Sequence, residues 1–585
     1  MRRTLFAVTR GLIVGLLSLA TAAGAVALGP LSTGAPVDDP VPALTAEQVL
    51  DAAGIASAPT AEAPAAVEPG DEELDSEEIA AVANGAVTAP NAGRLPEGTF
   101  LVGASRATLA PAPDQWQTEG CTTYSDEGPG DVNGDHVVPT PEDMRGWPAA
   151  SPDCIYLGGF GIGPARPAER VGHGGIWVRT IAISNGERTF IYGIADTVGW
   201  FSRYDAEECA DCGIRDVRER LGADLDIGIE DIAIGSTHTH AGADTYGGWG
   251  GIPSWYRSQL RDAAIASAKQ AVANLRPATI TVGDTQLRNR NNQRREFYYS
   301  NADVEATWLQ ATALPSDKKC KTEPCEPVLA TWSTFAGHPT IVGEPILHAD
   351  WPGAAARRFE ATYGGVGLLF EGGLGNVSVS GVGGHDDEAK AESTGIAIAD
   401  DIARSIGHDG QPLADNTMAA VVDDAFTHPV QTNPGLATLG AVGLFDREFT
   451  PGSKGAGLPG TYQWSKEDGP GAARSCSSTG PTVITTVGSH RVGGFHVAFA
   501  PGEIFSNIAE VVKEEADTSV ATMVMGQTND ALGYIIQSFE QDAASNVVTH
   551  YGTKTHEYEE VFNLDRCLGD HVLQTLLDSA DQLGL

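Results

Sequence analysis

Apolar and polar residues change rhythm sharply near Gly98. From there to the C-terminus, short apolar runs bounded by glycine and polar residues recur, the pattern of buried strands. Arg179–Ser184, Phe190–Asp196, Ile229–Ser236, Ala278–Gly283, Val328–Phe335, Gly365–Phe370, Met418–Asp424, Phe495–Ala500 and Ala521–Met525 are predicted strands. Longer stretches with helical spacing lie between some of them: Pro253–Leu275, Trp351–Tyr363, Asp387–Ile406, Gly502–Ala516 and Leu568–Leu583. The two types mix without a strict alternation. The expected fold is mixed α/β (α+β), one large domain of β-sheets flanked by helices.

The first 95 residues read differently. Arg2, Arg3 and Arg10 precede the apolar run Gly11 to Leu28, and small residues follow, as in an export signal over residues 1–28. The run is about 18 residues, near the lower limit for spanning a bilayer, so an uncleaved anchor is the alternative. Residues 29–95 read as an acidic Ala/Pro-rich linker, with no Lys or Arg between Gly11 and Gly93 and a charge run over Asp71–Glu78. Such a segment buries too little apolar surface to offset its ordering entropy, so a disordered tether is expected, with short helices open near Thr45–Ala56 or Glu72–Ala83.

Composition narrows the function classes. The 585 residues carry 37 Lys+Arg against 77 Asp+Glu, a formal charge of −40. That field disfavours gripping nucleic acid or an anionic membrane through net charge. Eight cysteines, an even number, fit disulfides in an oxidising compartment. The expected pairs are Cys209–Cys212, Cys320–Cys325, Cys121–Cys154 and Cys476–Cys567. The localisation that follows is secreted or extracellular, tethered if the signal stays uncleaved.

Candidate chemistry sits where apolar runs end. Ile229–Ile234 leads into Gly235-Ser236-Thr237-His238-Thr239-His240-Ala241-Gly242. Residues two apart in extended chain share a face, so both imidazoles can point at one site, where neutral imidazole suits zinc. A hydrogen-bonded pair of surface histidines is the alternative. Val328–Phe335 runs into Gly337-His338-Pro339-Thr340, Phe495–Ala500 into Pro501-Gly502-Glu503, and Ala521–Met525 into Gly526-Gln527-Thr528-Asn529, with Tyr534 beyond. Taken alone, Glu503 fits a helix N-terminal carboxylate and His338 a turn residue. Asp131-Val132-Asn133-Gly134-Asp135 opens a twelve-residue stretch ending at Glu142, and Asp131, Asn133, Asp135 and Glu142 match a calcium-loop spacing. His136 stands where such loops carry glycine, and an Asx-rich turn is the alternative.

These segments, in this order, resemble the neutral/alkaline ceramidase family of secreted or membrane-tethered zinc amidases. The resemblance runs from Gly103-Ala104-Ser105-Arg106-Ala107 through Thr237–Gly242, Phe335–Thr340, His348-Ala349-Asp350-Trp351-Pro352-Gly353 and Gly375-Asn376-Val377-Ser378. It ends with Pro501-Gly502-Glu503 and Asn529 to Tyr534. It implies a catalytic domain over 96–585, with zinc held by His238, His338, Glu503 and Tyr534. His240 would contact the scissile amide or its water, and Ser378 would be the essential serine. Arg290, with Arg288 a close competitor, and Tyr558 would face substrate.

The implied partner is ceramide or a similar N-acyl lipid, met in transient contact with a membrane surface. Zn2+ is the implied cofactor, with Ca2+ added if the acidic loop binds it. Serine attack and metal-hydroxide attack both remain open; no general base for Ser378 is evident by spacing, which favours the second. Val379 and Ser380 follow Ser378 where the family has Pro-Asn, and the chain is expected to lack the family's C-terminal β-sandwich. A same-fold hydrolase of another acyl substrate and an inactive extracellular binding protein are the competing readings. No oligomeric state follows from the sequence.

Overall fold

Successive side chains of a strand point to opposite faces, and here both faces find a core. In Thr189–Ala195, Phe190, Tyr192 and Ile194 join one apolar cluster while Ile191 and Ala195 join another. Each such side chain contributes roughly 1.5–3 kcal/mol by burial. The apolar runs are continuous because the sheet is covered on both sides. The computed structural model describes residues 73–74, 78–89, 91, 93–123, 150–160, 164–204, 209–295, 302–315, 327–430, 482–516, 519–540, 559 and 562–585.

The larger sheet uses β1 (Phe100–Thr108), β2 (Trp177–Ser184), β3 (Thr189–Ala195), β4 (Ile232–Ser236) and β5 (Arg276–Gln286). A short strand β6 (Asn291–Gln293) precedes β7 (Glu305–Ala313), β8 (Val328–Phe335), β9 (Val366–Glu371) and the short β10 (Val377–Val379). The order across the sheet is β9-β8-β7-β5-β1-β2-β3-β4. The pairs at its two ends, β8/β9 and β3/β4, are parallel, and the pairs between are antiparallel.

A second sheet, in the order β11-β12-β13-β15, uses β11 (Met418–Pro429), β12 (Thr482–Val492), β13 (Phe495–Phe499) and β15 (Ala521–Met525). Between and after them lie β14 (Glu503–Ile504) and β16 (Tyr534–Ile535), paired with each other in parallel. Phe100, Ile183, Trp332, Phe370, Val497, Phe499 and Met523 form one cluster, so the two sheets face each other across a shared core. Helices α1 (Ile214–Leu225) and α2 (Ser254–Ala273) cover part of the outer face of the first sheet. α3 (Asp350–Tyr363) and α4 (Asp387–Ile406) cover the rest, and α5 (Ser506–Glu515) and α6 (Leu568–Leu583) cover the second sheet. α4 starts at Asp386, whose carboxylate caps the Ala389 amide at 2.8 Å, and carries Asp387 and Glu388 in its first turn and Arg404 in its last.

Several expectations change. The linker does not extend to residue 95: Glu73–Leu74 pairs with Arg106–Ala107, and Ile79 and Ala83 are buried against the core that α2 also lines. Lys269 Nζ donates to the carbonyls of Ala83 and Gly85 at 2.7 and 3.0 Å. Apolar residues spaced within the acidic run outweigh its average composition. Ile229–Asp231 is a 3-10 turn, and the strand expected there starts at Ile232. β7, β12 and α1 were not anticipated. Cys121–Cys154 and Cys209–Cys212 are bonded as expected, and Cys567 is also in a disulfide. Cys320, Cys325 and Cys476, the 1–28 signal and the calcium-like loop Asp131–Glu142 lie outside the described residues. Among the described residues no helix is long and apolar enough to cross a membrane.

Candidate metal centre

Four strand ends meet where the two sheets come together. β4 ends at Ser236 and delivers His238; β8 ends at Phe335 and delivers His338. β13 ends at Phe499 and delivers Glu503; β15 ends at Met525 and leads through residues 526–529 to Tyr534. The 526–529 loop sews the sheets together. Asn529 donates its amide to Ile234 O at 2.7 Å and accepts the Ile234 amide on Oδ1 at 3.0 Å. Ser236 N donates to Gln527 O at 3.0 Å, and Gln527 N to Gly502 O at 2.9 Å. His238, Gln527 and Asn529 all have left-handed backbone, with φ of 59°, 50° and 68°. Such strain costs of order 1–3 kcal/mol per residue and concentrates at sites that need a fixed geometry.

Both strand-end histidines are oriented from behind. His238 Nδ1 lies 2.6 Å from Val198 O, and His338 Nδ1 lies 3.0 Å from Val377 O. A carbonyl only accepts, so each Nδ1 carries a proton and each Nε2 is the ring nitrogen left to face a metal. Both Nε2 atoms face one carboxylate oxygen: Glu503 Oε2 is 3.4 Å from His238 Nε2 and 3.0 Å from His338 Nε2. Ligand atoms about 2.0–2.1 Å from a tetrahedral zinc stand roughly 3.3 Å apart, so this spacing fits one ion. His240 closes the group, its Nε2 lying 3.4 Å from His238 Nε2. The three imidazoles alone form a cluster with metal-ligand spacing, and the structure brings Glu503 onto it.

The electrostatics suit a cation. Burial alone would raise the Glu503 carboxyl, yet the His238 and His338 imidazoles hold it well below the usual carboxylate range. Burial, with Arg294 adding to it, lowers His338 to about 4. Burial and the two neighbouring histidines hold His240 well below its ordinary value. At neutral pH His240 and His338 are neutral and Glu503 is ionised, the states in which these groups can bind metal.

Tyr534 is the register partner of Glu503, and its ring centroid is 6.2 Å from that of His338. Its hydroxyl accepts from Arg294 Nη2 at 2.8 Å. Arg294 also reaches Gly375 O at 3.0 Å and Glu559 Oε1 at 3.1 Å. A guanidinium on the phenol oxygen compensates the charge a phenolate ligand would bring. Arg294, rather than the expected Arg290, is thus the arginine that contacts Tyr534. The Arg290 guanidinium turns away and pairs with Asp401 at 2.6 Å, while Arg288 is exposed. The reason is local: the chain turns at Leu287–Arg290, and β6 then runs antiparallel to β10, carrying Arg294 back towards the cluster.

Ser378 lies on β10, bridged to His338, and so runs alongside the ligand loop. Among the described residues no side chain hydrogen-bonds its hydroxyl. Tyr558 lies outside the described residues. Asp350, in the His348–Gly353 turn, accepts the amides of Ile341 and Val342 at 2.9 Å each and fixes the chain after His338. Burial pushes its carboxyl up to about 6.

No family model and no curated protein matches the sequence. Solved structures resemble the fold, among them two ceramidases. One is the neutral ceramidase from Pseudomonas aeruginosa, with a TM-score of 0.54 and 15% identity over 83% of this chain and 74% of that one. The other is a ceramidase complexed with C2, with a TM-score of 0.53 and 14% identity over 83% of this chain and 75% of that one. With its two sheets, covering helices and four converging strand ends, the chain has the fold of the neutral ceramidases.

Proposed function

We propose that the chain is an exported, zinc-dependent amidohydrolase that cleaves the N-acyl bond of ceramide or a similar N-acyl lipid, giving a fatty acid and an amine. The observation that carries this reading is the convergence of His238 Nε2 and His338 Nε2 on Glu503 Oε2 at 3.4 and 3.0 Å. The fold likeness to ceramidases adds the substrate class. The Arg-led apolar start and the disulfides support export.

His238, His338 and Glu503, with Tyr534 at the edge, would hold the ion. When bound, it lowers the pKa of a water and polarises the amide carbonyl. The rest falls to the protein. His240, beside the ligand atoms but outside their carbonyl-locked arrangement, holds and passes the proton that the leaving amine needs. Arg294 keeps the Tyr534 oxygen in place. Ser378, next to His338 in the β10 register, supplies a hydroxyl for attack or for stabilising the developing oxyanion.

The test is ceramide hydrolysis by the purified mature chain, with fatty acid and sphingosine release followed with and without chelator. Metal content is measured in parallel. Release that chelation abolishes supports the proposal. Bound zinc without release would move the substrate to another acylated compound, and neither zinc nor release would overturn the enzyme reading.

A further inference from the structure

The three clustered histidines are held in two different ways. His238 and His338 have Nδ1 locked onto backbone carbonyls. His240 has no such lock: among the described residues its buried Nδ1 has no hydrogen-bond partner and its Nε2 meets His238 Nε2 at 3.4 Å. Its main chain is fixed, with its amide on Pro339 O at 3.0 Å and its carbonyl on Arg166 Nη1 at 2.9 Å. Its ring, by contrast, is held by surfaces.

Those surfaces come from the turn at residues 158–160. Gly159 has φ of 94°, and a Cβ placed there would lie 2.3 Å from His240 Cγ and 2.4 Å from Nδ1. The Gly159 backbone is therefore packed flat against the imidazole. Phe160 meets the ring edge-on, with centroids 5.1 Å apart. Arg166 stacks over Phe160 at 4.8 Å and donates to Gly158 O at 3.3 Å, tying the turn to the His240 carbonyl.

We infer that Gly159 and Phe160 are positioning residues that hold the His240 imidazole by shape, fixing its orientation beside the ligand atoms. An imidazole fixed by van der Waals contact keeps its orientation towards the ligand atoms without a hydrogen bond on Nδ1, so filling the space beside it should tilt the ring out of its reacting position. The functional weight of this inference rests on the proposed amide hydrolysis; the geometry does not.

The test is Gly159→Ala on the full zinc-loaded chain, with Gly364→Ala as control. Gly364 has φ of 77° and nothing within 4 Å of its Cβ position, so it carries the same backbone strain without the clash. Gly159→Ala is expected to lower kcat about 100-fold with KM and bound zinc unchanged, and Phe160→Leu about tenfold. In a His240→Ala background, Gly159→Ala is expected to cost nothing further.

An independent readout is long-range proton–nitrogen NMR of the imidazoles. His238 and His338 should show one Nδ1-protonated tautomer, and Gly159→Ala should shift only the His240 signals. A Gly159→Ala variant with near-normal kcat and unmoved His240 signals would overturn the inference, as would an equal further loss in the His240→Ala background. A zinc-loaded wild type that releases no fatty acid from ceramide would move the substrate to another acylated compound and leave the imidazole test standing.

Discussion

Among the described residues, two buried histidine–carboxylate groups differ in where their nitrogens point. At the strand ends, His238 and His338 point two Nε2 lone pairs at one Glu503 oxygen. On the outer side of the second sheet, His428 of β11 uses both nitrogens: Nε2 lies 3.1 Å from Asp565 Oδ1, and Nδ1 lies 3.1 Å from His571 Nδ1. Phe426 packs on His571 with centroids 4.2 Å apart. The first group has donor atoms converging on a point; the second is a chain that consumes its donors internally. Burial and residue type are the same in both, so convergence of free lone pairs is what marks a metal centre.

Breaking the first group should have the largest effect. His338→Ala or Glu503→Ala is expected to lower hydrolysis at least about 1,000-fold and to remove bound zinc, read by metal analysis and turnover. His240→Ala should lower kcat by about 100-fold while zinc remains, which separates the proton carrier from the ligands. His428→Ala should do the reverse. Chemical denaturation should show a loss of about 1–3 kcal/mol with zinc content and kcat within twofold of wild type, because Asp565 and His571 each lose one hydrogen bond in a buried place.

A pH titration of stability sharpens the same contrast. Burial lowers His571 to about 3, with His428 adding to it, and burial lowers His496 to about 4. The unfolded chain takes up protons near 6.5 that these folded sites refuse. Their contribution is therefore fully present above 6.5 and lost as pH falls from there towards 4. His496→Leu should flatten that fall by up to about 3 kcal/mol in denaturant titrations at pH 4.5. Glu371 has the opposite sign. Burial and Asp350 hold its carboxyl well above the ordinary range, so its contribution is present in acid and lost as pH rises. Glu371→Gln should add about 1–2 kcal/mol at pH 8. The smallest expected effect is Arg290→Ala, within about twofold in kcat, because its partly exposed pair with Asp401 faces away from the cluster.

The strand-end residues were legible because each follows an apolar run whose register fixes where it points. β8 and β15 fall where the sequence placed them, and His338 and the 526–529 loop follow at once. Arg294 was not legible. Arg288, Arg290, Arg294 and Arg295 are chemically alike, and the choice depends on the Leu287–Arg290 turn and on pairing with β10, a contact between residues far apart in sequence. α1 was hidden by its charges. Its buried face, Ile214, Val217, Arg218, Leu221 and Leu225, includes an arginine that reads as solvent-facing until Asp424 is found 2.7 Å away. The docked stretch from Glu73 was hidden in the same way, because composition averages over the few residues, Leu74, Ile79 and Ala83, that bury themselves.

The crossing of residues 526–529 between the sheets gives an ion at this centre a mechanical meaning. One side of the donor set belongs to the first sheet and the other to the second, so occupancy couples the two sheets like a rivet through both plates. At 100 times its dissociation constant an ion contributes about 2.7 kcal/mol to the folded state. That energy opposes sliding of one sheet past the other. Amide hydrogen exchange should register it at Ile234, Ser236 and Asn529, whose amides donate across the sheets and are the stitches beside the rivet. The Val492–Phe495 hairpin, at the opposite end of the second sheet, should exchange at the same rate whether or not the ion is held.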